Sequence, residues 1–359
     1  MTSIKLYQAA ALCMLPHWTI TEYGIRLVEQ FRNPDTSTML KILTFMKTFF
    51  IVGILFPFAI AGLGVGQAFH YLAYTQSNTS YLYQKNIEQL RLETHFTVYQ
   101  GNCCLTDGGF ALIFGGLSLP NRERAGLLIK KIQKHQPTLV ALQEVSSLRE
   151  ALYLSKELKR LGYGEFYFHM GAMPSILANT SGLFIASKVA IENPKFQSYS
   201  KIKIAGLEKW VNKGYFSFTI PNVSNFITTH LSPSENDYNP YPERILTRKQ
   251  ELEVLWQEAV RLHEVNGFAV HILGDFNIAR GGKEYSSAPF FQKSRDVYIE
   301  GFTCQTDSLL KKNWQHKKGA LPGLIVDYFL TFFGNSISTD KVPAIEEGIS
   351  DHQHLISQV

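Results

Sequence analysis

The chain has 359 residues, of which 45% are hydrophobic and 18% charged, and its formal net charge is +5. This composition excludes a wholly disordered chain, and the length fits one large domain or two ordinary ones. Four cysteines without a CxxC pair exclude a disulfide-rich scaffold and give no sign of a zinc site. The first 85 residues hold six Lys/Arg and three Asp/Glu, whereas the remainder holds 29 and 27. The nearly neutral larger part disfavours a strongly basic nucleic-acid-binding face.

The most apolar part of the chain is the segment at 49–69, which contains no charged residue. A helix of this length, rising about 1.5 Å per residue, reaches across a hydrocarbon core of about 30 Å. The segment begins too late for a signal peptide, and Pro57 and the glycines are tolerated well in membrane helices. We therefore predict a transmembrane helix, with a buried core helix or a re-entrant hairpin broken at Pro57 as alternatives. Gly62 and Gly66 form a GxxxG pattern, a weak indication of a helix dimer.

Basic residues flank this segment unevenly. Arg26, Arg32, Lys41 and Lys47 lie in the stretch just before it, and the next basic residue after it is Lys85. The positive-inside rule then places the N-terminus in the cytoplasm and the long C-terminal part on the non-cytoplasmic side of a single-pass protein. The polar residues 75–85 are typical of a linker. We predict an N-terminal membrane region over 1–93 and a catalytic domain over 94–359.

After the linker, short apolar runs alternate with amphipathic runs. Strands are predicted at 96–100, 138–143, 182–186, 214–220, 225–229, 269–273 and 324–332. Helices are predicted at 121–136, 147–161 and 242–265. Many strands and several helices within about 265 residues favour a layered α/β domain, because apolar runs this short suit strands covered by helices.

Several of the predicted strands run directly into polar residues. The motifs are GN at 101–102, QE at 143–144, TTHL at 228–231, GDFN at 274–277, VDY at 326–328 and SDH at 350–352. Loops at strand ends present side chains on a rigid base, which suits a functional site. Singly, each has a plainer interpretation, because His230 resembles an ordinary core histidine and GDFN is good turn chemistry. The ordered set is what points to catalysis.

These six elements, in this order, resemble the endonuclease/exonuclease/phosphatase superfamily. Within it the chain is most similar to neutral sphingomyelinases, through SGLFIASK at 181–188 and NKG at 212–214. The resemblance covers about residues 96–359. It implies a four-layer α/β sandwich, in which two packed, mainly antiparallel β-sheets are flanked by helices, here with a membrane-associated helix before them.

The resemblance also implies a metal centre. Glu144 would be the main Mg²⁺ carboxylate, Asn102 would support the same site, and Asp351 would assist the metal or its waters. Hard oxygen ligands suit Mg²⁺, with Mn²⁺ as the alternative ion.

Five further residues receive catalytic roles from the same resemblance. Asp275 would orient or deprotonate the attacking water, and Asn277 would donate to a phosphate oxygen. His352 would be an acid/base group held by Asp327, and His230 would contact the phosphate or protonate the leaving oxygen. Which histidine is the acid stays open.

The expected function is a membrane-anchored, Mg²⁺-dependent phosphodiesterase that cleaves a phospholipid head group, with sphingomyelin as the first choice. Such an enzyme would release ceramide and phosphocholine. The alternatives are a DNase-like endonuclease and an inositol-lipid phosphatase of the same superfamily. A catalytically dead binding module would have lost one of Glu144, Asp275, Asn277 or His352, and all four are present.

Overall fold

A computed structural model describes most of the chain and positions the motifs identified above. The described residues are 3–32, 36–76, 80–85, 96–106, 119–171, 180–200, 202, 211–233, 242–296, 303–304, 324–335, 337–344, 347 and 349–359. The predicted domain boundary at 93–94 lies outside them.

Eight helices and thirteen strands are described. The helices are α1 (Ser3–Cys13), α2 (Leu15–Arg32), α3 (Thr38–Thr75), α4 (Asn121–His135), α5 (Leu148–Arg160), α6 (Pro242–Asn266), α7 (Lys283–Ser287) and α8 (Pro289–Lys293). The strands are β1 (Leu82–Lys85), β2 (Thr97–Asn102), β3 (Leu139–Gln143), β4 (Glu165–Phe168), β5 (Phe184–Ser187), β6 (Glu192–Ser198), β7 (Gly214–Ile220), β8 (Ser224–His230), β9 (Val270–Asp275), β10 (Arg295–Asp296), β11 (Asp327–Phe332), β12 (Ser338–Val342) and β13 (His354–Gln358).

The strands form two sheets. The first has the order β1-β4-β5-β3-β2-β13-β12, and the second has the order β10-β11-β9-β8-β7-β6. Each sheet contains one parallel pair, β2 with β3 and β8 with β9, and the other pairs are antiparallel. Parallel neighbours end at the same edge of a sheet, so the polar residues that follow β2 and β3 lie side by side, as do those at the ends of β8 and β9.

The two sheets pack face to face, because alternate residues of their strands are apolar and buried between them. Val98 and Ala141 of the first sheet join Phe216, Phe226 and Leu273 of the second in this inner core. Helices α4 and α5 cover the outer face of the first sheet, and α6 and α8 cover that of the second. The architecture is the predicted four-layer α/β sandwich with two mainly antiparallel sheets.

The predicted strands and helices agree with the structure to within a few residues, but the predicted linker is wrong in part. Residues Leu82–Lys85 form the edge strand β1, which pairs antiparallel with β4. Lys85 forms an ion pair with Glu165 at 3.0 Å, and Tyr83 stacks on Tyr167 with ring centroids 4.7 Å apart. An edge strand keeps one row of side chains in solvent, so its polar composition resembles that of a linker.

The N-terminal helices lie against the sandwich. The 38-residue helix α3 contains the predicted apolar segment, with Pro57 in its interior. Among the described residues, α3 is the one helix long and apolar enough to cross a membrane, by length and composition only. Helices α1 and α2 run antiparallel to it, because Tyr7 contacts His70 and the Lys47 ammonium lies 5.5 Å from the Tyr23 ring centre.

Candidate active site

Asn102, the last residue of β2, lies at the centre of the polar cluster. Its side-chain amide donates to Glu144 Oε1 at 2.9 Å and to Asp275 Oδ2 at 3.0 Å, so it links the two sheets. The residue before it must be a glycine, because a Cβ on Gly101 would lie 2.1 Å from the His354 ring. His354 Nε2 in turn lies 3.2 Å from the Asn102 carbonyl oxygen. The GN motif therefore fixes an amide that joins two carboxylates.

Glu144 follows β3 in a left-handed backbone conformation, with φ at 57°. This turn carries its carboxylate away from the strand and towards Asn102, and its side chain stays 27% exposed. Left-handed non-glycine residues are uncommon and frequently occur at functional sites. Gly182 makes the turn possible, because a Cβ there would lie 3.0 Å from the Glu144 Cα.

Three predicted site residues form one row across the second sheet. Asp275 ends β9, and its cross-strand partners are His230 on β8 and Asp327 on β11. Because neighbouring strands lie about 4.8 Å apart, this register alone brings the three side chains together. His230 Nε2 lies 3.6 Å from Asp275 Oδ2 and 3.8 Å from Glu144 Oε1.

His352 completes the row from the first sheet. Its Nδ1 lies 2.8 Å from Asp327 Oδ2, and its Nε2 lies 3.8 Å from Asp275 Oδ2. Ser350 holds the loop in place, because its hydroxyl donates to the Asn102 carbonyl at 2.6 Å. The terminal SDH motif is thereby attached to the GN motif of β2.

The two histidines have opposite pKa shifts. Burial lowers the pKa of His230 well below its usual range, and the Lys213 ammonium adds to this effect. Burial would also lower the pKa of His352, but the neighbouring Cys304, Asp327 and Asp275 groups raise it well above its usual range.

Two of the carboxyl groups are crowded. Burial, together with the nearby Asp351, raises the pKa of Glu144 to about 7. Burial and the Asp327 carboxylate raise the pKa of Asp275 to about 6. A divalent cation would relieve this crowding of negative charge, and carboxylate and amide oxygens are the ligands that Mg²⁺ prefers.

The donor geometry fits a small cation as well. One ligand atom from each of Glu144, His230 and Asp275 lies within 4.8 Å of the other two, and the same holds for Asp275, Asp327 and His352. The Asn102 amide bridges Glu144 and Asp275. The residues present therefore fit the divalent metal that the sequence predicts.

Two of the predicted site residues are placed less directly. Asn277 has a left-handed φ of 53°, and its side-chain amide donates to the Leu231 carbonyl at 3.0 Å. Its backbone N–H donates to Asp275 Oδ1 at 2.9 Å, so it orients that carboxylate. Asp351 lies close enough to Glu144 to raise its pKa, and no direct contact joins them among the described residues.

Arg124 supports the site, although none of the sequence motifs includes it. This fully buried guanidinium donates to the Cys103 and Ile349 carbonyls at 2.9 Å and to the Cys104 carbonyl at 2.7 Å. It thus joins the loop after Asn102 to the loop that carries the SDH motif. A sequence signal exists, because Arg124 occupies the same helix stripe as the buried Leu128.

Comparison with solved structures identifies the fold. Sphingomyelinase C from Streptomyces griseocarneus matches with a TM-score of 0.55 and 16% identity, over 74% of this chain and 100% of that one. Beta toxin from Staphylococcus aureus with bound magnesium ions matches with a TM-score of 0.55 and 17% identity, over 74% and 99%. TDP2 from D. rerio complexed with a single-strand DNA product matches with a TM-score of 0.51 and 15% identity, over 74% and 99%.

No protein-family model matches the sequence, and no curated protein is a significant sequence match. The similarity is therefore one of structure. The chain shares its fold with these solved structures, and that fold is the four-layer sandwich that the ordered motifs predict. Its polar cluster lies where the strand-end motifs of that fold converge.

Proposed function

We propose that this protein is a divalent-metal-dependent phosphodiesterase that cleaves a phospholipid head group, with sphingomyelin as the substrate. One observation carries the proposal: a continuous chain of contacts runs from Glu144 through Asn102 and Asp275 to the His352–Asp327 pair. A carboxylate cluster next to a carboxylate-held imidazole is suited to the attack of water on a phosphodiester.

Each residue has a role that follows from its position. Asp275 lies between the two histidines, at 3.6 and 3.8 Å, and orients the attacking water. His352 exchanges a proton with the reacting groups at Nε2, because its Nδ1 is held by Asp327. His230, on the other side of Asp275, contacts a phosphate oxygen through a ring nitrogen. Asn277 holds Asp275 in orientation through its backbone N–H.

Glu144 and Asp351 are the residues that would hold Mg²⁺ or Mn²⁺, and Asn102, whose side-chain amide donates to the Glu144 carboxylate, would orient it for the ion. When bound, such an ion supplies positive charge that stabilises the negative charge developing on the phosphate. Crowded carboxylates with raised pKa values are a suitable receptor for that charge, since the cation displaces the competing protons.

Two observations support a lipid substrate over DNA. The part of the chain after residue 85 has nearly balanced charge, whereas a nuclease benefits from a basic cleft. The apolar helix α3 gives the chain a means to reach a membrane surface. The structural similarity to a DNA-bound TDP2 makes nuclease activity the second candidate.

The test compares substrates in parallel with the full-length protein. Truncation at residue 94 would remove β1 from the first sheet and α1–α3 from its outer face, so the whole chain should be used. Sphingomyelin, phosphatidylcholine, a phosphoinositide and plasmid DNA are supplied with Mg²⁺, and phosphocholine, phosphate and nicked DNA are measured. The matched variants are His352→Gln, in the site, and His263→Gln, on α6 away from it.

The proposal expects phosphocholine release from sphingomyelin that is lost with a chelator and with His352→Gln, and kept with His263→Gln. DNA nicking without phosphocholine release would contradict the proposal and support nuclease activity instead. Phosphate release from the phosphoinositide alone would replace it with a phosphomonoesterase. Activity that survives chelation would refute the metal centre.

A further inference from the structure

The small residues of α3 are already used within the chain. A Cβ on Gly62 would lie 2.0 Å from the Cys13 carbonyl oxygen, and one on Gly66 would lie 2.9 Å from the Met14 side chain. The GxxxG pattern therefore permits close contact with the N-terminal helices of the same chain. A second copy of the protein would find this face occupied.

The N-terminal helices are in turn fixed to the sandwich by specific contacts. Glu22 of α2 forms an ion pair with Arg149 of α5 at 2.6 Å, and the same guanidinium lies 5.9 Å from the Trp18 ring centre. Arg26 forms an ion pair with Glu123 of α4. These contacts place α2 on the helix layer of the sandwich.

A buried histidine pair fixes the other end of the hairpin. His70 Nε2 of α3 lies 2.9 Å from His169 Nε2, and Tyr7 of α1 packs edge-on against both rings at 4.9 and 4.8 Å. All three side chains are buried. The C-terminal end of α3 and the start of α1 therefore reach the sandwich at the same point.

The alignment of α3 with α1 and α2 determines how α3 can contact lipid. Lys47 of α3 lies beside Tyr23, and Gly62 lies beside Cys13, so Glu22 lies opposite the N-terminal end of the uncharged stretch, and His70 directly follows its C-terminal end. Both ends of the uncharged stretch therefore lie against the sandwich, and a docked α3 that crossed a bilayer would carry the adjoining surface of α5, with Arg149, into the hydrocarbon. Charged side chains inside a bilayer cost several kcal/mol each, so a docked α3 does not span.

The outward face of α3 is apolar along its length. Its large exposed side chains include Phe45, Phe49, Phe50, Phe56, Phe58 and Ile60, with Phe49 at 73% exposure. Residues 49–69 carry no charge, and the inward stripe holds small or polar residues such as Ala59 and His70. An apolar surface of this extent is unusual on a soluble protein and fits a lipid surface.

We propose that α3 lies in the plane of the membrane, with this outward face in the acyl region and both of its ends on the side of the catalytic domain. This arrangement replaces the single-pass topology that the positive-inside rule predicts. It deepens the proposed function, because it holds the active site at a lipid surface, but it does not require that lipid be the substrate.

The test measures membrane topology and does not depend on enzyme activity. The full-length protein is expressed in bacteria with one epitope at the N-terminus and another at the C-terminus, and inverted membrane vesicles and spheroplasts are treated with protease. The inference expects both epitopes to be digested in one preparation and both to be protected in the other. Digestion of one epitope with protection of the other would overturn it.

Matched variants test the lipid-facing surface. Phe49→Glu together with Phe56→Glu should lower the membrane-bound fraction by about tenfold or more, because two charges would face the acyl region. Leu246→Glu is the control, since Leu246 is 56% exposed on α6, away from α3. A wild-type protein that stays in the soluble fraction, or equal losses in both variants, would overturn the proposal. If the wild-type protein bound membranes as expected but did not cleave sphingomyelin, the proposed function would be refuted and this inference would stand.

Discussion

The imidazole of His352 and the carboxylate of Asp327 are joined at 2.8 Å through Nδ1 and Oδ2, and both side chains are buried. The pair spans the two sheets, because Asp327 begins β11 and His352 precedes β13. Such a carboxylate fixes the imidazole tautomer and leaves Nε2 for proton exchange. Thr303 supports it, because its hydroxyl accepts the Asp327 backbone N–H at 3.1 Å.

Replacing Asp327 by Asn should therefore reduce kcat by about 10²–10³-fold with little change in KM, since substrate contacts stay while proton transfer suffers. The measurement is steady-state kinetics over a range of pH on the proposed substrate. Asp340→Asn, on the exposed edge strand β12, is the control. A variant that kept kcat and lost only KM would show that Asp327 does not act through His352.

Glu144→Gln should weaken metal binding without a comparable loss of folding stability. The variant keeps the shape and the Asn102 contact but loses a negative charge, so the Mg²⁺ concentration needed for half-maximal activity should rise by about tenfold or more. Mg²⁺ should raise the Tm of the wild-type protein and raise that of the variant much less. Equal stabilisation of both proteins by Mg²⁺ would place the ion elsewhere.

Much of this site was predictable because strand-end motifs are local. GDFN, TTHL and VDY each end or begin a strand, and their ladder register then places Asp275, His230 and Asp327 in a row. The supporting contacts were not predictable in the same way. The docking of Trp18 and Glu22 on Arg149 depends on complementary surfaces far apart in sequence, and either side chain alone resembles ordinary helix polarity.

Gly101→Ala tests the close approach that positions Asn102. The new methyl group would lie 2.1 Å from the His354 ring and displace it from the Asn102 carbonyl, at a cost of about 1–3 kcal/mol in the free energy of unfolding. Gly126→Ala, in α4, is the control, because the nearest atom to its new Cβ would be the Tyr153 hydroxyl of α5 at 3.8 Å, and it should stabilise by up to about 1 kcal/mol. Urea unfolding measures both, and equal effects would contradict the argument.

His271 makes stability depend on pH. Burial among Phe226 and Phe329 lowers its pKa from the ordinary 6.5 to about 4, so the folded protein favours the neutral ring. This contribution is complete above pH 6.5 and is lost as the pH falls towards 4, because the unfolded chain takes up the proton first. His271→Gln should reduce the slope of unfolding free energy by about 1.4 kcal/mol per pH unit in that window. The curves of unfolding free energy against pH for the wild-type protein and the variant should run parallel above pH 7. Parallel curves below pH 6 as well would refute this role of His271.

Arg124 should control the geometry of the site from the helix layer. Arg124→Met leaves the carbonyls of Cys103, Cys104 and Ile349 without their shared donor, so the two loops that they belong to lose their common attachment. Unsatisfied buried carbonyls cost about 1–3 kcal/mol each, and this variant is expected to be severely destabilised.

Arg124→Lys keeps the charge and one of the contacts, and is the informative change. It should fold, lower kcat by about tenfold and weaken Mg²⁺ binding, because Asn102 and the SDH loop would move relative to each other. Arg122→Lys, two residues earlier in α4, should do neither. If Arg124→Lys lowered the Tm but left kcat and Mg²⁺ affinity unchanged, Arg124 would be a stabilising residue with no part in positioning the site.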